Sequence, residues 1–376
     1  MSAEQAVPAR EPTPEQAAAI AVRGGDVLLE AGAGTGKTGV MVGRYCRLVC
    51  DSGLPPDSIL AFTFTDKAAA ELRQRIRAEL TRRAERGSER AAAALAGIGG
   101  AWITTIHGFC NRVLAAHPVA AGVDPNFRVL DAPEAARAAR EAFDDAVVEF
   151  LAGGDAAREE TVAAYDLEGL RTTIAAVHDE LRSRGAADPK LPEPPRPNPD
   201  AALRRVIAAA EECLAELGES DGRRAEQERE LPERALALLS APGAQPGLEE
   251  LMALATKSKA RALAPYREAI EAAVARLAEA GEGGVVYGHL AELLELFSAR
   301  FEAAKERRGG IDFEDLQILA ARLLEGAEIG EHYRTRFRQI LVDEFQDTNR
   351  LQLRLIESLH GPKTELVAVG DELQSI

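Results

Sequence analysis

Five short apolar runs punctuate the chain: Asp26–Glu30, Ile59–Phe64, Trp102–Ile106, Gln339–Val342 and Leu366–Val369. Each leads into a turn or a helix, the pattern of parallel strands buried on both faces. Three lie before residue 110 and two after residue 338, while the stretch between repeats Ala, Glu, Arg and Leu at helical spacing. The pattern predicts an α/β unit whose sheet is assembled from both ends of the chain, with a mainly helical insertion between them. Inside that insertion, Asp188–Pro199 is dense in proline. Proline lacks a backbone donor and clashes with the preceding turn, so a linker is expected there. No repeat of fixed period is visible, and the Ala-rich stretches read as strong helix formers.

Composition sharpens this picture. With 376 residues, 46% of them hydrophobic, the chain can build two cores, or one core carrying a large insertion. Asp and Glu outnumber Lys and Arg by 61 to 45, for a formal charge of -16 and a pI near 5.0. The molecule as a whole is therefore no polycation, and any contact with nucleic acid must be local. A candidate is the stretch where Arg73, Arg75, Arg77, Arg82, Arg83, Arg86 and Arg90 outnumber the glutamates, although a solvated helix face explains it equally well. No run is apolar enough to span a membrane, and Met1–Pro14 carries charges and prolines in place of an apolar signal, so a cytoplasmic protein is expected. Cys46, Cys50, Cys110 and Cys213 form no Cys-x-x-Cys pair and are expected to be reduced thiols. Cys46 and Cys50 share a helix face, read as core.

Candidate chemistry begins where the first strand runs into Ala31-Gly32-Ala33-Gly34-Thr35-Gly36-Lys37-Thr38, with helical residues following. Glycines let backbone N–H groups turn inward to cradle phosphate oxygens at a helix N-terminus, where the helix dipole also favours negative charge. Lys37 is placed to reach the β- and γ-phosphates of ATP, and Thr38 to put its hydroxyl on Mg²⁺. The pattern usually opens with Gly and here opens with Ala31, which leaves Gly36, Lys37 and Thr38 in register.

The strand Gln339–Val342 ends in Asp343-Glu344-Phe345-Gln346-Asp347-Thr348. Adjacent carboxylates at a strand end suit separate tasks: Asp343 to hold the Mg²⁺ shell, Glu344 to orient and deprotonate the water attacking the γ-phosphate. Asp347 is expected to cap a helix over Thr348–Leu359. The last strand leads to Gly370-Asp371-Glu372-Leu373-Gln374-Ser375-Ile376, where Gln374 is placed to report on the γ-phosphate or the water.

In this order the blocks resemble the superfamily-1 helicases of the UvrD/Rep family. Thr13-Pro14-Glu15-Gln16-Ala17 resembles that family's adenine-reading segment, which implies Gln16 as the amide that pairs with the base edge. Ala61–Leu72 and Thr104–Cys110 resemble its first two DNA-contact motifs. The residues support a DNA role independently. Thr63, Thr65, Thr104, Thr105 and His107 are short polar groups at strand ends, suited to phosphate, and Phe64 offers a stacking face. Asp66 stands where the family usually has Asn; it can cap a helix, but a carboxylate is unwelcome beside a phosphate.

The resemblance implies a RecA-like P-loop NTPase domain with a parallel sheet, its first part over 1–125, a large mainly α-helical inserted domain over 126–304 and its second part over 305–376. The second RecA-like domain of such a motor is absent from these residues. Gly310–Leu316 resembles the family's return into the motor. The long interval from His107 to Asp312, the extra residues Arg77–Gly100 and the segment Phe127–Asp131 resemble the AddA and RecB helicase–nuclease subunits, which process broken DNA ends. The implied activity is ATP-dependent 3′–5′ translocation on single-stranded DNA and at single/double-strand junctions. A nuclease or second helicase subunit is the implied partner, and a fragment lacking half the site is implied to be weakly active. Two other readings stay open: a non-catalytic DNA-binding or subunit-docking module on a motor scaffold, and a P-loop enzyme unrelated to DNA. Retention of Lys37, Thr38, Asp343 and Glu344 argues against the first, and the two threonine-rich blocks against the second.

Overall fold

The structure, a computed structural model, describes residues 12–30, 32, 36–193, 200–218, 223–241, 246–258 and 260–371. It opens with α1 (Pro14–Ala21), β1 (Val27–Glu30), α2 (Lys37–Cys50), β2 (Ile59–Thr63), α3 (Asp66–Glu85), α4 (Glu89–Gly97), β3 (Trp102–Thr105) and α5 (Ile106–Ala116). A short α6 (Pro118–Ala121) and β4 (Arg128–Val129) precede a helical run: α7 (Ala132–Leu151), α8 (Ala156–Tyr165), α9 (Leu167–Ser183), α10 (Asp200–Leu217), α11 (Arg223–Leu239), α12 (Leu248–Met252) and α13 (Ala264–Arg307). The chain then forms β5 (Gly310–Ile311), α14 (Phe313–Glu325), α15 (Ala327–Arg336), β6 (Gln339–Val342), α16 (Arg350–Leu359) and β7 (Glu365–Gly370). It is a mostly helical α/β protein with a parallel sheet. The chain divides into two compact units, residues 1–146, 171–189 and 297–376 in one and 147–170 and 190–296 in the other.

All five predicted strands pair in one parallel sheet of order β1-β7-β6-β2-β3. Alternate residues serve opposite faces. Leu60 and Phe62 of β2 join Ile340 and Val342 of β6 in a core closed by α5, α14 and α16, whereas Ile59, Ala61 and Leu341 join a second core under α2, α3 and α4. Burial on both faces is why these strands read as continuous apolar runs. At the edge, β1 departs from that expectation: Leu28 is 62% exposed, because an edge strand here is covered on one face only. The single tryptophan, Trp102 on the opposite edge strand, is buried against Phe109 and Phe337. The helical unit has its own core, in which Tyr266 on α13 packs with Val206 and Cys213 of α10.

Register decides where the chemistry falls. Glu30 lies opposite Gly370, Val342 opposite Ala368, Phe62 opposite Val342, and Thr63 opposite Thr105. The strands run the same way, so every loop that follows one of them emerges at one edge of the sheet. The segments after β1, β2, β3, β6 and β7 thus share that edge, although they are drawn from both ends of the chain.

A buried ion cluster fixes the start of α14. The Arg182 guanidinium, 3% exposed, donates to both oxygens of Asp312 at 3.0 and 3.2 Å and also to Asp315. Lys305 reaches Asp312 at 3.2 Å and Asp315 at 2.5 Å. Asp312 is meanwhile the N-cap of α14, in a capping box with Asp315. Burial alone would raise the Asp312 pKa, but Arg182 and Lys305 outweigh it and hold the carboxyl below its usual value. The sign follows: this contribution is present above the unfolded-state pKa and is lost as pH falls through the folded one. Asp312→Ala leaves two buried cations short of a partner, and a loss of about 3–5 kcal/mol is expected. Urea denaturation at pH 7 measures it, and the gap between wild type and variant should narrow on acidification.

Candidate functional site

The phosphate-loop sequence occupies the expected place between β1 and α2. Gly32, Gly36, Lys37 and Thr38 are described; Ala31, Ala33, Gly34 and Thr35 lie outside the described residues. Gly36 is the N-cap of α2 at φ 90°, a left-handed geometry that a side chain would strain. Lys37 follows as the first helical residue, only 9% exposed, and its Nζ stands 3.0 Å from Glu344 Oε2. The two residues are 307 positions apart in sequence.

The two acids part company at the end of β6. Asp343 remains in the strand ladder, its N–H donating to Phe62 O at 3.0 Å. Glu344 turns left-handed at φ 50°, which sends its side chain elsewhere at a cost on the order of 1–3 kcal/mol. Their electrostatics diverge as well. Burial, then the charge of Glu344, pushes the Asp343 pKa up. The Gln346 amide and Lys37 hold Glu344 below its usual value against the opposing effect of burial. Asp343, with Thr38 on α2, carries the hard oxygen donors that suit Mg²⁺, and the raised pKa of a buried carboxyl beside a second carboxylate is the electrostatic demand that a cation would relieve.

Gln346 was not among the sequence candidates. Its Nε2 donates to Glu344 Oε2 at 2.9 Å and its Oε1 accepts the Asp371 N–H at 3.0 Å. A side chain at Gly370 would crowd that same oxygen, at 3.0 Å. One amide thus ties the acid at the end of β6 to the end of β7. Gln374 lies outside the described residues. The turn after Glu344 is a 3-10 helix over Phe345–Asp347, and α16 is capped by Asn349, which accepts the Gln352 N–H at 2.9 Å. Asp347 is therefore not the cap, because the short turn delays the start of the helix.

Along the same sheet edge, Phe64 projects with 64% exposure just beyond β2. Thr63 is buried, donating to Thr65 O at 3.1 Å, and Thr65 is the N-cap of α3, accepting the Ala68 N–H at 3.1 Å. Asp66, expected as a possible cap, is instead the first residue of α3, where its carboxylate accepts the Thr105 hydroxyl at 3.1 Å. Thr105 accepts the Gly108 N–H in turn, capping α5, and Thr104 is half-buried against Gly108. His107 packs edge-on to Phe313 at 5.3 Å, and burial keeps its pKa below the usual value, with Asp66 opposing. The ring is then neutral near pH 7, and its Nε2 lies 3.2 Å from the Gln317 amide nitrogen as an acceptor. Phe313 on α14 is 45% exposed. It adds a second aromatic face at this edge that sequence reasoning missed.

The profile of the UvrD/REP helicase N-terminal domain matches residues 12–376. The chain belongs to this helicase family. Curated relatives include an ATP-dependent helicase/nuclease subunit of Pelotomaculum thermopropionicum, 31% identical over 97% of this chain and 34% of that protein. The proteins of the same name from Moorella thermoacetica (31% identical, 98% of this chain, 31% of that protein) and Desulforudis audaxviator (30%, 97% and 35%) are similarly related. The chain spans about a third of the length of these relatives.

Other features of this UvrD/REP-family chain are plainer. The arginines of α3 and α4 largely face their own structure: Arg75 pairs with Glu71, Arg82 and Arg83 with Glu79, and Arg73 and Arg90 donate to the carbonyls of Ile103 and Cys50. Cys46 is buried in the core, its thiol pushed up to about 12 by burial. No helix among the described residues is long and apolar enough to cross a membrane.

Ionisation of Asp343 costs the fold stability. Because its folded pKa is raised, the stability it contributes is present below the unfolded-state value and lost as pH rises through the folded one. Asp343→Asn is therefore expected to raise the melting temperature at pH 7–8, measured without added divalent cation. The thermal gain should vanish at acidic pH, where the native carboxyl is itself neutral.

Proposed function

We propose that this chain is the ATP-binding part of a DNA helicase motor: a RecA-like P-loop domain over 1–125 and 305–376 carrying a helical insertion over 126–304. The observation that supports it most directly is the 3.0 Å pair between Lys37 and Glu344, which joins a lysine at a phosphate-loop helix to the acid beyond β6, two strands away in the sheet. A triphosphate entering the loop would draw Lys37 to its β- and γ-oxygens and release Glu344. The carboxylate, held ionised and steadied by Gln346, would then orient the attacking water and accept its proton. Mg²⁺, when bound, would supply charge neutralisation at the β- and γ-phosphates. Gln374 follows β7 and would read the γ-phosphate, and Gln16 would read the base.

Single-stranded DNA would cross the edge where Phe64 and Phe313 stand open, with Thr63, Thr65, Thr104, Thr105 and His107 around them. Exposed aromatics stack on bases without regard to sequence. Asp66, tied to Thr105, would brace the two DNA blocks and contact no phosphate. By resemblance to the longer helicase/nuclease proteins, the intact protein would move 3′ to 5′ from single/double-strand junctions, in repair of broken DNA ends, beside a nuclease or second helicase subunit. About two-thirds of the length of those relatives lies outside the region matched. We place there the transition-state arginines, worth about 10³–10⁵ in rate, so the 376-residue chain alone would turn ATP over slowly.

Separate titrations test this. Lys37→Ala should weaken Mg·ATP binding at least tenfold and leave DNA affinity intact; Phe64→Ala should do the reverse, losing about 1–3 kcal/mol of single-strand affinity. In the full-length protein Glu344→Gln should bind both ligands and lose about 10²–10⁴ of turnover. Binding of DNA with no affinity for nucleotide would favour a docking module instead.

A further inference from the structure

β3 is an outer strand of the sheet, and an outer strand leaves a row of backbone groups without a ladder partner. Guanidinium groups from three helices line that rim. Arg73 on α3 donates from Nη2 to Ile103 O at 2.5 Å. Arg112 on α5 lies over the Trp102 indole, its Cζ 3.6 Å from the ring centroid, and Arg336, the last residue of α15, stands over the same ring at 5.5 Å. The negative face of an indole attracts a cation and holds the long side chain against it. Because the three residues come from positions 73, 112 and 336, no single basic stretch of the sequence marks this rim.

Charge at the rim is poorly balanced. Arg336 pairs with Asp57 at 3.1 Å. Among the described residues Arg73 and Arg112 have no carboxylate partner, and the hydrogen bond from Arg112 to Gly100 O is long, at 3.5 Å. Partial burial, then the charge of Arg336, holds the Arg112 pKa below its ordinary value; Tyr333 opposes this and Arg73 adds to it. Elsewhere on α3 the arginines are matched, Arg75 with Glu71 and Arg82 and Arg83 with Glu79. In a chain of formal charge -16, three guanidiniums around one carboxylate reverse the average. Charge on an outer strand deters pairing with another chain, but deterrence does not call for cations close enough to repel one another. An added anion would relieve that repulsion.

The rim adjoins the sheet edge where Phe64 and His107 stand. α3 and α5 both start at that edge, with Asp66 and Ile106, and run back along the sheet. Arg73 is seven residues beyond Asp66 and Arg112 six beyond Ile106, about 9–10 Å along each helix. Trp102 is likewise three residues before Thr105, about 10 Å down the strand. We propose that the outer rim of β3, with Arg73, Arg112 and Arg336, is a phosphate-binding track that holds the backbone of single-stranded DNA as it leaves the strand-end edge. The proposal rests on the reading above that DNA crosses that edge. A guanidinium fork matches two phosphate oxygens at once. Trp102 is buried beneath the arginines, so the rim offers no face for a base to stack on, and the contact is to the backbone alone, without sequence preference. An acidic protein segment would answer the same charge, but the rim continues the edge proposed for DNA, and this favours the nucleic acid.

The 376-residue chain can be titrated over a salt series, by fluorescence anisotropy, with oligothymidylates of about eight and about twenty nucleotides, lengths that bracket a single-strand site. Only the longer should reach from the edge to the rim, so wild type should bind it more tightly and with a steeper salt dependence. Arg112→Met keeps an apolar side chain on Trp102 and removes the charge. It should weaken the longer oligonucleotide about three- to tenfold at low salt, lower its slope of log affinity against log salt by about 0.7, and leave the shorter one unchanged. Arg112→Lys should retain the slope, because salt dependence counts charges and is blind to packing. Arg336→Gln and Arg73→Gln should act as Arg112→Met does. Equal slopes for the two lengths in wild type, or a slope unmoved by Arg112→Met and Arg336→Gln in chains that melt cooperatively, would overturn the proposal. Phe64→Ala should weaken both lengths alike and leave the slopes intact; if it weakens neither, DNA does not cross the edge, and that reading falls with the track built on it. Polyglutamate serves as the acidic-protein probe. Arg112-dependent binding of polyglutamate, with no difference between the two oligonucleotides, would assign the rim to an acidic partner and overturn the proposal. Should Arg112→Met fail to fold, the slopes of Arg336→Gln and Arg73→Gln decide.

Discussion

The meeting of Lys37 with Glu344 depends on a parallel sheet that takes strands from both ends of the chain. β7 lies between β1 and β6, so the lysine-bearing helix and the acid-bearing turn leave strands two positions apart, and a long side chain closes the distance to 3.0 Å. Had the sheet been antiparallel, successive loops would have emerged at opposite edges. Buried on both faces, the central strands cannot slip in register without exposing one core or the other. The sheet therefore fixes the backbone positions from which Lys37 and Glu344 meet.

Two adjacent carboxylates with opposed pKa displacements give this edge its chemical character. A single left-handed residue, Glu344, separates a carboxyl that burial makes costly to ionise from one that Gln346 and Lys37 keep ionised. Asp343 therefore favours a proton or a bound cation over a bare charge, whereas Glu344 favours its ionised form. The same Gln346 amide reaches Asp371, so one side chain joins Glu344 to the end of β7. Along the sheet, Asp66 plays a comparable part by joining the end of β3 to the start of α3.

The start of α14 ties the helical returns of the chain to this edge. Arg182 on α9 and Lys305 on α13 converge on Asp312 and Asp315, and the next residue after the cap, Phe313, packs against His107. Such a cluster contributes less to net stability than to placement, because the desolvation of four charged groups offsets much of their attraction. It places one exposed aromatic where the sequence shows only a helix beginning.

Much of this was legible in the chain itself. Apolar runs located all five strands to within a residue or two, since burial on both faces leaves no polar alternation to confuse them, and strand-loop-helix punctuation marked the places of Lys37 and the Asp343-Glu344 pair at strand ends and helix starts. Where local signals compete, the reading failed: Asp347 and Asp66 looked like helix caps, and Asn349 and Thr65 took those places. The strand order, the exposure of β1, the Gln346 bridge and the Phe313 face were invisible, because each joins residues whose pairing depends on packing and not on spacing. Sequence alone determined which residue types stand at strand ends and helix starts, through backbone geometry and hydrophobic periodicity that act over a few residues. Only the tertiary structure decided which of them touch, because a hydrogen bond or ion pair between distant segments forms where the sheet register and core packing bring them within about 3 Å.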